Sequence, residues 1–386
     1  SGFLHDNEDA RKYHTRSKCC FLILTQEGFN WVKKKINLPD CDALINKIAK
    51  LNELLRKDNE LYIQKVFQRV ESPTLVKPPE AILDVLCKHL PKTVSYAYSM
   101  LAVKATQTLI ETYKTDLNTM DEENLFLANS VLLLTCSVAK CDKDLISISL
   151  KKELEFWEKV FLLNTVSFYQ KFTLSTYNPQ TLSSGLLCLQ SLWYLCIYLQ
   201  NSPSPKVAVM IASAAITMAQ ELDIMAPSVV NSLESLEERN ECRLLWFHWF
   251  VVDTNFSIWY GKPNYISLEQ LIICDNDCQS DFLAAFNMTM DPALLAPEKC
   301  EERYNFLSQS AIGHYFIMFD LKFRLIGITS LAYKDILSVQ NERRPLNDIK
   351  KDVDKTNEKL LDFIATLKRG FKLSEDCSVE DVYERL

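Results

Sequence analysis

The stretch "ERNECRLLWFHWFVVDTNFSIWYGKP", residues 238–263, decides the fold. Four of its first six residues are charged, the next nine are not, and then one aspartate, Asp253, stands alone. A helical period places Leu245, Trp249, Val252, Phe256 and Trp259 on one stripe. Phe247, Phe250, Val251, Thr254 and Ile258 form a second stripe beside it. A helix apolar on nearly all sides must be buried on nearly all sides, so this one is central and wrapped by others. Its charged start, Glu238 to Arg243, marks where it leaves the core. Gly261 and Pro263 end it, the glycine suited to a left-handed cap and the proline unable to continue. Asp253 is the odd member, because a buried carboxylate without a partner is costly or protonated. Arg243 lies roughly 15 Å back along the axis, out of reach. Ser257 alone is a weak partner. Asp253 is therefore expected to meet a lysine, an arginine or a helix N-terminus from elsewhere.

The remainder of the chain agrees with a helical fold. It has 386 residues, of which 48% are hydrophobic, 24% charged and only 7 are glycine. Scarce glycine with abundant Leu, Lys, Glu and Ala favours helices joined by short connections. Helices are expected near 79–90, 94–115, 122–139, 144–172, 179–200, 204–223, 234–260, 302–328 and 346–370. Asn178-Pro179, "NSPSP" at 201–205 and Ala226-Pro227 punctuate them. Residues 264–300 read as irregular, with a short helix near 267–273. No fixed-period repeat supports a solenoid. The expected fold class is all-α: a single large multi-helix bundle, not a solenoid, with a short helical appendage over residues 1–70. Within the appendage Leu44, Ile48, Leu51 and Leu55 share one helix face, a docking face with dimerisation as the lesser option. Three prolines in "ESPTLVKPPEAI", residues 71–82, mark the boundary to a main domain over 71–386. In the last helix, Ile349, Val353, Leu360, Phe363, Ile364 and Leu367 form an apolar face opposite a charged one.

Several function classes are set aside by the same residues. The net charge of −7 and the lack of a basic stripe argue against direct nucleic-acid binding by this chain. "LSSGLLCLQSLWYLCIYLQ", residues 182–200, is about long enough to span a bilayer. Its serines and glutamines, and its lack of basic flanks, favour a buried helix and no membrane partner. The 13 cysteines are scattered, many within apolar runs, as in a reduced intracellular core. Cys136-x4-Cys141 and Cys274-x3-Cys278 lack the C-x2-C spacing of a zinc site, so no metal is expected. The phosphate-binding glycine motifs, D-D-x-x-D, G-x-S-x-G and H-E-x-x-H are all missing, which argues against an enzyme and leaves no catalytic candidates. "MDEENLF" and "CDKDL" are the nearest aspartate-rich fragments, and neither fits.

The series Glu241-x-Arg243-x-x-Trp246 … Asp253 … Gly261-Lys262-Pro263 resembles the fungal-specific transcription-factor domain, the middle homology region of the zinc-cluster activators. Lys262 stands where that family commonly has arginine. The preceding helix, "VAVMIASAAITMAQELDI", with Ala212, Ala215 and Ala219 close-packing, is similar to the family's Ala-rich helix ending in Leu-Gly-Leu-His. Asp223 and Met225 depart from that ending. "TLSSGLLCLQSLWYL" is similar to the helix before it, with Gln190 in the family's usual place. The resemblance is strongest over 180–275.

The resemblance implies a regulatory, effector-sensing domain that acts in the nucleus, with shuttling to the cytoplasm as an option. The family's six-cysteine zinc cluster is not found here, and Ser1-Gly2 reads as a cloning scar. Zinc and DNA binding are therefore expected only in a separate module, and no cofactor in this chain. Expected partners are a small-molecule effector and coactivator or corepressor proteins, with a homodimeric full-length protein. An effector would act by a population shift between helical packings. Pocket candidates are Trp193, Tyr194, Trp246, Trp249 and Tyr260, weighed against the plain reading that each is core. His248 reads as a satisfied core histidine. Cys242 beside Arg243 is a lesser candidate for a sensor thiol of lowered pKa. Residues 276–300 form either a lid or a variable surface loop. A ligand-free interaction scaffold is the alternative reading.

Overall fold

In the computed structural model, the structure describes residues 65–68, 73, 75–99, 102–142, 147–174, 181–200, 205–260, 264–267, 270, 290–295, 299–338 and 344–370. The elements are helices, with no strand among the described residues. Helices α1 to α4 span Glu80–Ala97, Ala102–Thr115, Glu122–Lys140 and Ile148–Leu174. Helices α5 to α8 span Leu182–Gln200, Pro205–Glu221, Pro227–Ser232 and Leu236–Tyr260. Helices α9 to α11 span Cys300–Leu307, Ala311–Ala332 and Leu346–Gly370. The chain divides into two compact units, one ending at Trp249 and one beginning at Phe250. The appendage over 1–64, the 71–72 stretch and most of 261–289 lie outside the described residues.

The unit up to Trp249 is built around α3. Asp121 caps this helix by accepting from the Asn124 N–H at 2.8 Å. Glu122 and Glu123 occupy its first turn and Lys140 its last, in accord with the helix dipole. Leu125 to Cys136 are buried without a break. Helices α1, α4 and α5 pack around α3. A buried Asn164 side chain from α4 donates to Asn129 Oδ1 at 3.0 Å, and Asn129 donates to the Leu125 carbonyl at 2.8 Å. Helix α5, apolar enough for a membrane, is instead a core helix, lined by α3 and α6. On α6, Ala208, Ala212, Ala215 and Ala219 are buried and let α5 come close. A Cβ added at Gly185 of α5 would lie 2.5 Å from Leu222. Residues 65–68 are helical and dock on α4, where Gln170 donates to the Phe67 carbonyl at 2.9 Å.

Two expected boundaries differ. The sequence predicts a helix ending before Pro91 and another from 94 to 115. Instead α1 runs through Pro91 to Ala97, and the break falls at Tyr98. Proline inside a helix costs about 3 kcal/mol. Ile82, Leu83, Leu86, Leu90, Val94 and Ala97 form one buried stripe across it, and each buried apolar side chain contributes roughly 1.5–3 kcal/mol. The stripe wins. The short helix α7 was also not foreseen.

In the unit from Phe250, the expected single helix over 302–328 is two. Helix α9 ends at Leu307, and Ser310 caps α10 by accepting from the Gly313 N–H at 2.9 Å. A Cβ at Gly313 would lie 1.8 Å from the Leu307 carbonyl oxygen, so only glycine allows this corner. Tyr304, Leu307, Ile317 and Leu321 form the local core, covered by Phe363 and Leu367 of α11. Of the predicted apolar face of α11, Val353 and Leu360 remain exposed. The Asp320 carboxylate accepts from the Tyr304 hydroxyl at 2.5 Å and from Arg324 Nε at 3.0 Å.

The end of α6 explains one departure from the family pattern. Asp223 stands where the family has glycine, and it adopts the left-handed conformation itself, with φ 51°. The Ile224 N–H reaches back to the Ala219 carbonyl at 3.2 Å, which closes the helix with the turn that glycine usually supplies. A Cβ in this region costs about 1–2 kcal/mol, softened for aspartate. Asp223→Gly should therefore raise the unfolding free energy by about 0.5–1 kcal/mol in urea melts. An unchanged or lowered midpoint would mean that the aspartate side chain contributes more than its backbone strain costs.

Candidate functional site

The unit up to Trp249 contains a chain of aromatic rings drawn from α1, α5 and α8. It starts where α1 stops. At the break, the last carbonyls of α1 have no helical donor. Trp193 Nε1 of α5 donates to the Ala97 carbonyl at 2.8 Å. His248 Nε2 of α8 lies 3.0 Å from the Tyr98 carbonyl. Since a carbonyl only accepts, the histidine proton sits on Nε2. The Trp193 ring stacks on His248 at 4.6 Å between centroids and meets Trp249 edge-on at 5.4 Å. Tyr98 lies 5.3 Å from His248 and 6.0 Å from Tyr194. All five residues are buried.

Polar atoms are enclosed with these rings. Trp249 Nε1 is buried and has no hydrogen-bond partner in the protein, and the Tyr194 hydroxyl is fully enclosed. The Thr106 side chain of α2 meets the Tyr194 hydroxyl, and the Glu241 charge of α8 acts on it through space. Burial pushes the Tyr194 phenol well above its ordinary range, Glu241 adds to this, and Thr106 opposes it. Glu241, half-buried, is itself pushed up to about 7, chiefly by burial and then by Glu238 one turn back. Glu241, Leu245 and His248 share one face of α8, so the carboxyl stands at the partly open end of the ring chain.

Of the predicted pocket residues, the structure brings Trp193, Tyr194 and Trp249 together. Trp246 is buried on the same helix. The Tyr260 side chain lies outside the described residues, as do Gly261, Lys262 and Pro263. Tyr98 and Thr106 were missed. Tyr98 sits just past the end of α1 and Thr106 on a face of α2, and only the tertiary fold carries them to α5 and α8. His248 is buried, as the sequence suggests, with its Nε2 on the Tyr98 carbonyl. The sensor-thiol reading of Cys242 is overturned, because burial, Glu241 and Glu238 outweigh Arg243 and push its thiol up to about 12. Cys136 is buried and Cys141 exposed, and no group of three or more metal-ligating side chains is placed to hold a metal among the described residues. Cys274 and Cys278 lie outside them.

The unit from Phe250 resolves the question raised by Asp253. Its Oδ2 accepts from the backbone N–H groups of Tyr265 and Ile266, at 2.7 and 2.8 Å. The expected lysine, arginine or helix N-terminus is replaced by two successive amides of the segment after the helix. Ser257 does not serve Asp253's side chain and donates instead to its carbonyl at 2.8 Å. The aspartate thus pins the returning chain, with Ile266 buried. Burial raises Asp253 from 3.8 to about 6 against the opposing pull of the two amides.

The family described as "Fungal specific transcription factor domain" matches residues 92–360. The chain belongs to that family and is a fungal transcription-regulator domain, and an all-helical fold of this family speaks against an enzyme. Halotolerance protein 9 of Saccharomyces cerevisiae is 25% identical over 265 residues, a stretch that covers 62% of this chain. The match spans only 24% of that relative's length. No solved structure matches.

Asp253 gives a prediction with a sign. Its folded pKa is raised, so the native state holds the proton more tightly than the unfolded chain does. Stability then falls as pH rises from about 4 to about 6, by roughly 3 kcal/mol at most. Asp253→Asn keeps one oxygen for both amides and removes this slope. Asp253→Ala orphans two buried N–H groups and costs about 2–4 kcal/mol. Urea melts at several pH values measure both. A slope that persists in the asparagine variant, or an alanine variant as stable as the parent, contradicts the assignment.

Proposed function

We propose that this chain is the effector-sensing regulatory domain of a zinc-cluster transcription regulator, one that binds a small molecule among α1, α5 and α8. The observation that carries the reading is Trp249 Nε1, a donor buried among these rings with no hydrogen-bond partner in the protein. More than nine in ten buried polar groups find a partner, roughly. Leaving a buried one unmade costs about 1–3 kcal/mol. A ligand with polar groups among aromatic surface supplies what is missing, and such sites are typically apolar with a few placed polar atoms. Family membership supports the nuclear, regulatory setting. Zinc and DNA recognition belong, on this reading, to a separate module, and coactivator or corepressor proteins read the outcome.

The scaffold reading differs in one respect: it needs no occupant. A thermal-shift screen separates the two. The panel holds hydrophobic xenobiotics, sterols, fatty acids, sugars and amino-acid intermediates. A true ligand stabilises the folded state by about 2.7 kcal/mol at a hundredfold excess over Kd. The expected result is a dose-dependent rise for one class, diminished in Trp249→Phe, which keeps an aromatic ring and removes the Nε1 donor. Flat melting curves for every class would sink the effector reading and leave the scaffold.

A further inference from the structure

Independently of the effector reading, we propose that the outward face of α4 is a docking surface for the chain's own N-terminal segment, residues 44–64, laid along it as a helix parallel to α4. The start of this interface is in place. Residues 65–68 are helical, Val66 is buried, the Phe67 ring meets Tyr169 edge-on at 5.8 Å, and Gln170 donates to the Phe67 carbonyl at 2.9 Å. From Gln170 back toward the start of α4, Ser167, Leu163, Val160 and Phe156 follow at steps of three, four, three and four, which is one helix face. Ser167 turns its hydroxyl back onto the Leu163 carbonyl at 2.9 Å, so it makes no polar demand there. Leu163 and Val160 are half-buried, and Phe156 is 59% exposed. A single exposed phenylalanine is ordinary. One that continues a stripe already occupied at its other end is an interface left open.

The sequence before residue 65 carries the matching stripe. On a helix, Leu44, Ile48, Leu51, Leu55, Tyr62 and Val66 fall within about 60° of one another, with Asn59 as the polar interruption. Val66 is the buried member, so a helix continued upstream from it turns the same stripe toward the protein. The lengths agree. Leu51 lies 15 residues before Val66, and Phe156 lies 14 before Gln170. At 1.5 Å per residue both stand about 21–22 Å from the 65–68 contact. The direction follows from the end of α4, which finishes at Leu174, just past Gln170. A helix running back from Val66 beyond that end leaves its apolar stripe in water, and one running toward Phe156 buries it. Tethering favours this occupant over a second copy. A segment already held at 65–68 faces the stripe at an effective concentration of roughly millimolar.

Hydrogen exchange of the full chain, read by mass spectrometry on peptides from residues 44–64, tests this. These amides should be protected in the parent. Phe156→Asp and Leu51→Lys should each lower that protection by about tenfold or more, the loss of one large apolar side chain from the contact. The double variant should recover part of the loss, since the register sets the new carboxylate beside the new ammonium. Met210→Asp, at a residue 64% exposed on α6, should leave the protection unchanged. Exchange in α3 should stay at the parent level in every variant, which separates undocking from unfolding. If Phe156→Asp loosens α3 as well, Leu51→Lys and its rescue carry the test. Unprotected amides over 44–64 in the parent, or protection that both single variants leave intact, overturns the proposal. So does protection that grows with protein concentration together with a dimer in sedimentation, which would assign the face to a second copy. None of these readouts involves an effector, so the effector reading stands or falls separately.

Discussion

Two backbone carbonyls at the end of α1 organise the unit up to Trp249. A helix end buried in a core must have its orphan carbonyls satisfied, at a cost of about 1–3 kcal/mol each if they are not. Water is one solution and a capping glycine another. This protein uses ring N–H groups from two other helices, Trp193 on the Ala97 carbonyl and His248 on the Tyr98 carbonyl. The choice has consequences beyond the cap. Each ring is fixed at its edge by the hydrogen bond and at its face by the other ring, stacked at 4.6 Å. Three helices distant in sequence are thereby held in one register. Trp249 and Tyr98 then pack against rings that cannot turn.

The unit from Phe250 solves a related problem with the opposite partner. There the unsatisfied groups are amides, those of Tyr265 and Ile266, and the side chain that meets them is the Asp253 carboxylate. Both cases place a polar side chain inside the apolar stretch of α8. Both use it to secure main chain that leaves a helix. An arginine or lysine opposite Asp253 would have satisfied its charge but left the amides to water. Using the amides satisfies both at once, and the raised proton affinity of Asp253 is the residual cost of burial.

How much of this could be read in advance follows from where each signal resides. The long apolar stretch of α8, the Ala-rich stripe of α6 and the amphipathic α11 are local patterns, and each forms a helix close to its expected bounds. The buried state of Trp193, Tyr194 and Trp249 was legible for the same reason. The meeting of Trp193 with His248 was not, because 55 positions separate them along the chain and no spacing rule spans that distance. Pro91 misled because its local cost is certain while the stripe that outweighs it requires a partner surface. The break at Tyr98 carries no glycine or proline, and its cause lies in α5 and α8. Ser310 and Gly313 did carry a local cap signal, inside a stretch expected to be one helix. Asp253 was flagged as anomalous for the right reason, burial. Its partner was misjudged because backbone amides have no letter in a sequence.

The same geometry bears on how an effector could act, should the cluster hold one. Ligand-driven change requires two states that differ in affinity. The rings that form the cluster's walls are also the caps of α1. A molecule that displaces the Trp193 or His248 ring by even a fraction of an ångström lengthens a hydrogen bond on which the α1 terminus depends. On the effector reading, occupancy would be coupled to the ordering of α1's end by shared atoms, without a relay through the core. The size of that coupling is bounded by the worth of the bonds involved, about 1–2 kcal/mol for two neutral hydrogen bonds. That is a five- to thirtyfold shift in population, roughly, enough to bias a switch and too little to throw one fully. A decisive response therefore needs a second contribution.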